Sequence, residues 1–167
     1  MSERWKPSVT VAAIIERVID AEARFLLVEE DTAEGLKLNN PAGHLEIGES
    51  PEQGVVREAL EETTCHFTPS CLVGVYMARY QRPAAGEDVT YLRFAYAGTV
   101  SDPDPTRTLD TGIVRTLWMS IEELRACRDR HRSELVLACI EDYLAGKRYP
   151  LGIVHAADTV HTPEIKA

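Results

Sequence analysis

Apolar positions in this chain follow two periods. SVTVAAII (Ser8 to Ile15) and RFLLVEE (Arg24 to Glu30) are short apolar runs that read as β-strands joined by a short polar turn. They are expected to form a hairpin or to lie side by side. DTAEGLKLNN reads as a polar connection, after which Pro41 biases Asn40 toward extended backbone. Leu45 and Ile47 alternate with His44 and Glu46, which predicts a short strand feeding the loop Gly48-Glu49.

The period then changes. Ser50 stands where an N-cap hydroxyl would accept from free amides, Pro51 suits the first helical position, and Gln53 completes a capping box, so a helix is predicted from Pro51. At about 100° per residue, Arg57, Gly54, Glu61, Glu58 and Glu62 share one arc. Val55, Ala59, Thr63, Val56 and Leu60 share the opposite one. One face packs and the other gathers acid.

Downstream, CLVGVYMARY (Cys71 to Tyr80) and VTYLRFAYAGTV (Val89 to Val100) flank the turn-like RPAAGED and predict an antiparallel pair. In the second, Tyr91, Arg93 and Ala95 point one way, and Leu92, Phe94 and Tyr96 the other. SDPDPTRTLD is a Pro- and Asp-rich loop and IVRTLW a further strand. Ser120 with Glu123 opens a second capping-box helix through SIEELRACRD, and a third helix from Ser133 to Ala145 ends at Gly146. The tail from His155 to Ala167 has no strong pattern and is expected to be mobile. No repeat or linker divides the chain, so one domain spanning 1–167, with its core about 6–153, is expected. This order predicts an α/β (α+β) fold, a mixed sheet with helices on its faces in an α/β/α sandwich.

Charge narrows the function classes. With 167 residues, 44% hydrophobic, the chain can bury a proper core. Its net charge of -9 argues against nucleic-acid or anionic-membrane partners, which call for clustered Lys and Arg. The run Val9 to Ile15 is too short for a membrane span and lacks a signal cleavage pattern, so the cytoplasm is the expected location. Cys65, Cys71, Cys127 and Cys139 form no CxxC pair, lie in apolar stretches and read as reduced, buried thiols rather than disulfides or a zinc site. The absence of GxxxxGK[ST] excludes a P-loop nucleotidase.

The acidic arc carries the chemistry. Glu58 and Glu62 are like charges at i,i+4 with Glu61 between them, an arrangement costing a helix roughly 0.2–0.5 kcal/mol per pair unless a cation intervenes. Arg57, one turn before Glu61, neutralises only part of it. Clustered carboxylates on a rigid element are the hard oxygen ligands that Mg²⁺ or Mn²⁺ takes, and Mg²⁺ also draws on substrate phosphate.

Gly43, five residues, Glu49, seven residues, then Arg57-Glu58-Ala59-Leu60-Glu61-Glu62 resembles the signature of the Nudix hydrolases. The resemblance departs at the end of the motif, where Thr64 replaces the family's last glycine and Cys65 follows. Because a β-branched residue is poor in the left-handed conformation of a glycine cap, the helix is expected to run on through Thr64. KPSVTVA, FLLVEE, NNPAGHLEIGES, TYLRF and RSELVLACIEDYLAGKRYPL further resemble a narrower branch, the NudJ-type phosphatases.

That likeness implies a Nudix-type sandwich and a Mg²⁺-dependent hydrolase, with Mn²⁺ substituting. The substrates it implies are small phosphate anhydrides: nucleoside di- and triphosphates, thiamine pyrophosphate and hydroxymethylpyrimidine pyrophosphate. A hydrolase of dinucleotides or nucleotide sugars and a non-catalytic nucleotide-sensing module are the alternatives, and the chain is expected as a monomer or dimer. It implies that Arg57, Glu58 and Glu61 form the catalytic set, that Glu58, Glu61 and Glu62 hold metal, and that the Ala42 carbonyl joins them. Arg57 would orient a glutamate, and Glu49 would support the shell or only the helix start. His44 is a candidate for substrate phosphate. Arg93 and Arg79 are candidates for phosphate charge, with a solvated sheet edge as the favoured alternative for each. Tyr91, Tyr76 and Tyr80 are candidates to stack on a base, and Asp110 is a candidate metal ligand from outside the helix.

Overall fold

The structure is a computed structural model and describes residues 4–163. Its backbone is organised around β1 (Ser8–Ile19), whose two halves pair with different neighbours. The first half lies parallel to β6 (Glu87–Val100) and antiparallel to β4 (Ala42–His44). The second half forms an antiparallel hairpin with β2 (Glu22–Thr32), as expected from the short polar turn between them. β2 also pairs with β3 (Gly35–Asn39) and β7 (Ile113–Met119), and β6 pairs antiparallel with β5 (Phe67–Arg82). The result is a mixed seven-stranded sheet whose main path runs β3-β2-β1-β6-β5.

Alternation along β1 serves two cores. Val11, Ala13 and Ile15 point to the face covered by α1 (Pro51–Thr63), joining Val55, Ala59, Leu26, Phe67 and Tyr96. Ile14 points to the other face, with Phe25, Leu27, Ala95 and Ala97, beneath α2 (Ile121–Ala126) and α3 (Leu135–Leu144). Both faces of the sheet are therefore covered, which explains why its central strands read as nearly continuous apolar runs. The α/β/α sandwich is present.

Several expectations are corrected. DTAEGLKLNN is not merely a connection: Leu36 to Asn39 pair with β2 and make β3, because the partner strand supplies the hydrogen bonds that a polar sequence does not advertise. The short strand lies at Ala42–His44 rather than at Leu45 to Ile47, since pairing with Thr10 to Ala12 decides its register. α3 begins two residues later than Ser133, and Gly146 follows its end at φ 85° as a left-handed cap residue. Just before the tail, Val154 packs on the apolar cluster beneath α1, and within the tail a ring nitrogen of His161 lies 3.0 Å from the Gly48 carbonyl. Residues 164–167 of the expected mobile tail lie outside the described residues. All four cysteines are free, but only Cys65 and Cys139 are buried as expected, with Cys71 and Cys127 partly exposed.

The helix that carries the acid begins as the sequence indicates and ends differently. Ser50 caps α1, accepting from the Gln53 amide while Gln53 Oε1 accepts from the Ser50 amide. Thr64 does not continue the helix. It takes the left-handed conformation at φ 60°, its N–H donates to the Leu60 carbonyl, and its own carbonyl accepts from Asp104 N–H. The loop from β6 to β7 thus ties down the helix end, and tertiary contacts impose on threonine the geometry a glycine would adopt freely.

Candidate active site

One guanidinium organises the acidic face of α1. Arg57 donates through Nε and Nη2 to both oxygens of Glu49 at 3.0 and 2.7 Å, and through Nη1 to Glu58 at 2.8 Å and Glu61 at 3.1 Å. Nη2 also donates to the His44 carbonyl at 2.9 Å, tying the helix to the end of β4. Bidentate pairing of this kind fixes direction as well as charge. The hydrogen bonds that Arg57 donates to Glu49 and Glu58 outweigh burial and drive its pKa further up. For Glu49, burial is outweighed by the bonds from Arg57 and from the Glu46 amide, and its pKa falls. Glu49 is therefore a support for Arg57.

Two glycines make room for this network. A Cβ at residue 43 would collide with the Glu58 carboxylate, and one at residue 54 would lie 2.9 Å from Glu49 Oε1 and 3.1 Å from Leu45 Cδ1. The helix accepts a glycine in its second turn, at about 1 kcal/mol, so that Glu49 can reach Arg57.

Glu62 stands apart from Arg57. It is buried, and its Oε2 accepts from the Ala42 N–H at 2.8 Å. Burial pushes its pKa up to about 8, with the Ala42 amide opposing and Glu30, Glu58 and Asp110 adding to the rise. Burial also raises Glu58, against the pull of Arg57. Carboxylates that resist ionisation for want of positive charge are ones a dication would satisfy. Among the described residues, no three His, Cys, Asp or Glu side chains already form a metal cage. The donor set still fits a divalent cation: hard oxygens on one helix face, a strand backbone beside them, and too few cations to neutralise them.

A cleft of about 610 Å³ opens beside Glu62 and is also lined by Ala42, His44, Arg79, Tyr80, Tyr91 and Arg93. His44 is exposed, with its ring 6.2 Å from that of Tyr91. Tyr80 reaches Glu34 at the rim. Tyr76 is outside the cleft and donates to Asp142. Arg79 is exposed and doubly bonded to Asp88, in keeping with a solvated hairpin. Arg93 corrects the sheet-edge expectation: β6 lies between β1 and β5, and the residue is only 7% exposed. Asp110 is exposed, and its N–H donates to the Glu61 carbonyl, holding its loop against the end of α1. Sequence reasoning passed over Thr10, Asn39 and Glu30, which also line the cleft. For Thr10 the signal was present, as a hydroxyl residue inside the apolar run SVTVAAII.

Residues 8–138 match the NUDIX domain, and the match contains the acidic helix and its strand support. The chain belongs to the Nudix family. It is 36% identical over 151 residues to phosphatase NudJ of Escherichia coli (strain K12), covering 90% of this chain and 92% of that protein. The same figures hold for phosphatase NudJ of Shigella flexneri. A NUDIX hydrolase from Nitrosomonas europaea of known structure is 52% identical with a TM-score of 0.80, covering 92% of this chain and 99% of that one. The NUDIX domain of Shewanella oneidensis NrtR, solved with ADP ribose, shares the fold at 16% identity and a TM-score of 0.65, over 86% of this chain and 90% of that one. This Nudix protein is a NudJ-like hydrolase acting on phosphorus-containing anhydrides.

Proposed function

We propose that this Nudix hydrolase is Mg²⁺-dependent, with Mn²⁺ able to substitute, and that it removes terminal phosphate from nucleoside di- and triphosphates. Related small pyrophosphates, including thiamine pyrophosphate and hydroxymethylpyrimidine pyrophosphate, belong to the same substrate range. The observation that carries this reading is the division of labour on α1. Arg57 grips Glu49, Glu58 and Glu61, while Glu62 is held by a backbone amide and, among the described residues, is paired with no cation.

Glu58, Glu61 and Glu62 would hold the metal, with the Ala42 carbonyl beside them. When bound, the ion neutralises phosphate oxygens and lowers the pKa of an attacking water. The chain's own residues do the positioning. Arg57 fixes Glu58 and Glu61 relative to β4, and Gly43 lets the Glu58 carboxylate lie against the strand backbone. One glutamate of the three takes the proton from water. His44 and Tyr91 lie at the same cleft and would contact the substrate phosphate and its organic part. In-line displacement at phosphorus depends chiefly on positioning and charge, which is what this arrangement offers.

The test is a metal-supplemented substrate panel with orthophosphate and pyrophosphate release measured separately. Orthophosphate release, with GDP appearing before GMP from GTP, is expected. Stoichiometric pyrophosphate and GMP from the first turnover would overturn the terminal-phosphate reading and leave the metal site untouched.

A further inference from the structure

The floor of the cleft carries polar groups that the hydrolytic reading does not use. Arg93 on β6 and Thr10 on β1 are register partners, and both lie on the sheet face covered by α3. Arg93 is 7% exposed and Thr10 and Asn39 are each 6% exposed, and all three line the cleft. Arg93 Nε and Nη1, Thr10 Oγ1 and Asn39 Oδ1 are buried and have no hydrogen-bond partner among the described residues. Orphaned groups of this kind are rare in folded proteins and are expected to find a partner in a ligand or an ordered water. Four such atoms at one cleft make a built recognition surface.

The pattern of these atoms indicates what they meet. Arg93 meets the Cys139 thiol of α3, a weak acceptor, and makes no hydrogen bond to the nearby Glu30 or Glu62, so its Nε and Nη1 still lack acceptors. Asn39 Nδ2 donates to Glu30 Oε1 at 2.8 Å, which orients the amide and leaves Oδ1 seeking a donor. A phosphate group offers acceptors only and would leave Asn39 Oδ1 without the donor it lacks. A nitrogenous heterocycle offers both kinds: ring carbonyls or aza nitrogens for Arg93 and Thr10, and an N–H for Asn39.

We propose that Arg93, Thr10 and Asn39 form a subsite that reads the donor–acceptor edge of the heterocycle on the organic half of the substrate. This rests on the proposed function for the role of the cleft but concerns a different part of the substrate from the α1 carboxylates. Such a subsite would favour nucleotides over pyrophosphates that lack a ring. A site that hydrogen-bonds one partner discriminates against ligands without it, because its buried groups are then left unpaired.

The experiment uses the full chain in EDTA, so that neither metal nor turnover enters. Binding of guanosine, cytidine, uridine and adenosine is followed by amide chemical shifts, with ribose 5-phosphate as the phosphate control. At least one nucleoside is expected to bind and shift the amides of Phe94 and Ala95, and ribose 5-phosphate is not. Arg93→Met and the isosteric Thr10→Val should each weaken nucleoside binding by on the order of 10–10² for Arg93 and less for Thr10. Thr10→Val keeps the test open if Arg93→Met does not fold. With Mg²⁺ present, Arg93→Met should lower the kcat/KM ratio of GTP to methyl triphosphate, mainly through KM for GTP. Ribose 5-phosphate binding in place of nucleosides, unchanged nucleoside binding in both variants, or equal losses on GTP and methyl triphosphate would each overturn the subsite. Nucleoside binding in a protein that hydrolyses no phosphate anhydride would instead remove the proposed function and leave the subsite standing.

Discussion

The carboxylate of Glu58 occupies the space that any side chain at residue 43 would need. A strand glycine thus holds a helix glutamate in place from 15 residues away in sequence, by having nothing on its Cα. Gly43→Ala should displace Glu58 and lower kcat by on the order of 10², the cost of an ångström-scale misplacement. Circular dichroism should remain that of the wild type. Unchanged turnover in a folded Gly43→Ala protein would separate Glu58 geometry from catalysis.

Arg57 is the second lever. A lysine keeps the charge but cannot span Glu49, Glu58, Glu61 and the His44 carbonyl at once, since it lacks the planar fork. Arg57→Lys is expected to lower kcat by about 10–10², with a smaller change in KM, as removal of a group acting through the glutamates should. Steady-state kinetics at saturating metal gives the split, and a loss confined to KM would place Arg57 on the substrate instead.

At Thr64 the structure assigns a sign that propensity alone missed. A non-glycine residue in the left-handed region is strained by roughly 1–2 kcal/mol, and glycine relieves that while losing a little buried side chain and gaining entropy when unfolded. Thr64→Gly is therefore expected to stabilise the protein by about 0.5–1 kcal/mol, seen as a rise in Tm of roughly 1–4 °C. A fall in Tm would mean that the packing of the Thr64 side chain outweighs its backbone strain.

Much of this arrangement was legible where its causes are local. The capping boxes at Ser50 with Gln53 and Ser120 with Glu123 are contained within four residues each, and both form as their sequences indicate. The acidic arc follows from helical spacing alone. What the sequence hid depends on distant partners: β3 exists because β2 pairs with it, and Thr64 turns left-handed where Asp104 holds its carbonyl. Arg93 looked like a surface charge because its strand's position between β1 and β5 is a matter of topology. Helical spacing alone gives Arg57 as a partial neutraliser and the family likeness has it orient a glutamate, but its grip on Glu49 needs the loop and helix to meet in space.

The elevated pKa of Glu62 makes metal-free stability depend on pH. In the folded chain its carboxyl holds a proton up to about pH 8, whereas an unfolded glutamate gives it up near 4.5. Between those values the native state binds more protons than the unfolded one, so stability falls as pH rises through this window. Glu58 is shifted in the same direction. In EDTA, the urea midpoint should decline from pH 5 to pH 8, and Glu62→Gln should flatten the decline while remaining more stable than the wild type at pH 8. An equal slope in the variant would locate the titration elsewhere.

In the proposed function, the carboxylates on α1 carry metal-dependent phosphoanhydride hydrolysis. The most direct measurement of this is single-turnover hydrolysis of GTP with Mg²⁺ by the wild type and by Glu58→Gln, Glu61→Gln and Glu62→Gln, each repeated in excess EDTA. These changes keep side-chain size, so the fold should persist while the rate falls by on the order of 10²–10⁴ where a base or ligand is lost. The wild type should be silent in EDTA and recover with Mg²⁺ or Mn²⁺. Wild-type rates in all three variants, or full activity in excess EDTA, would contradict the account.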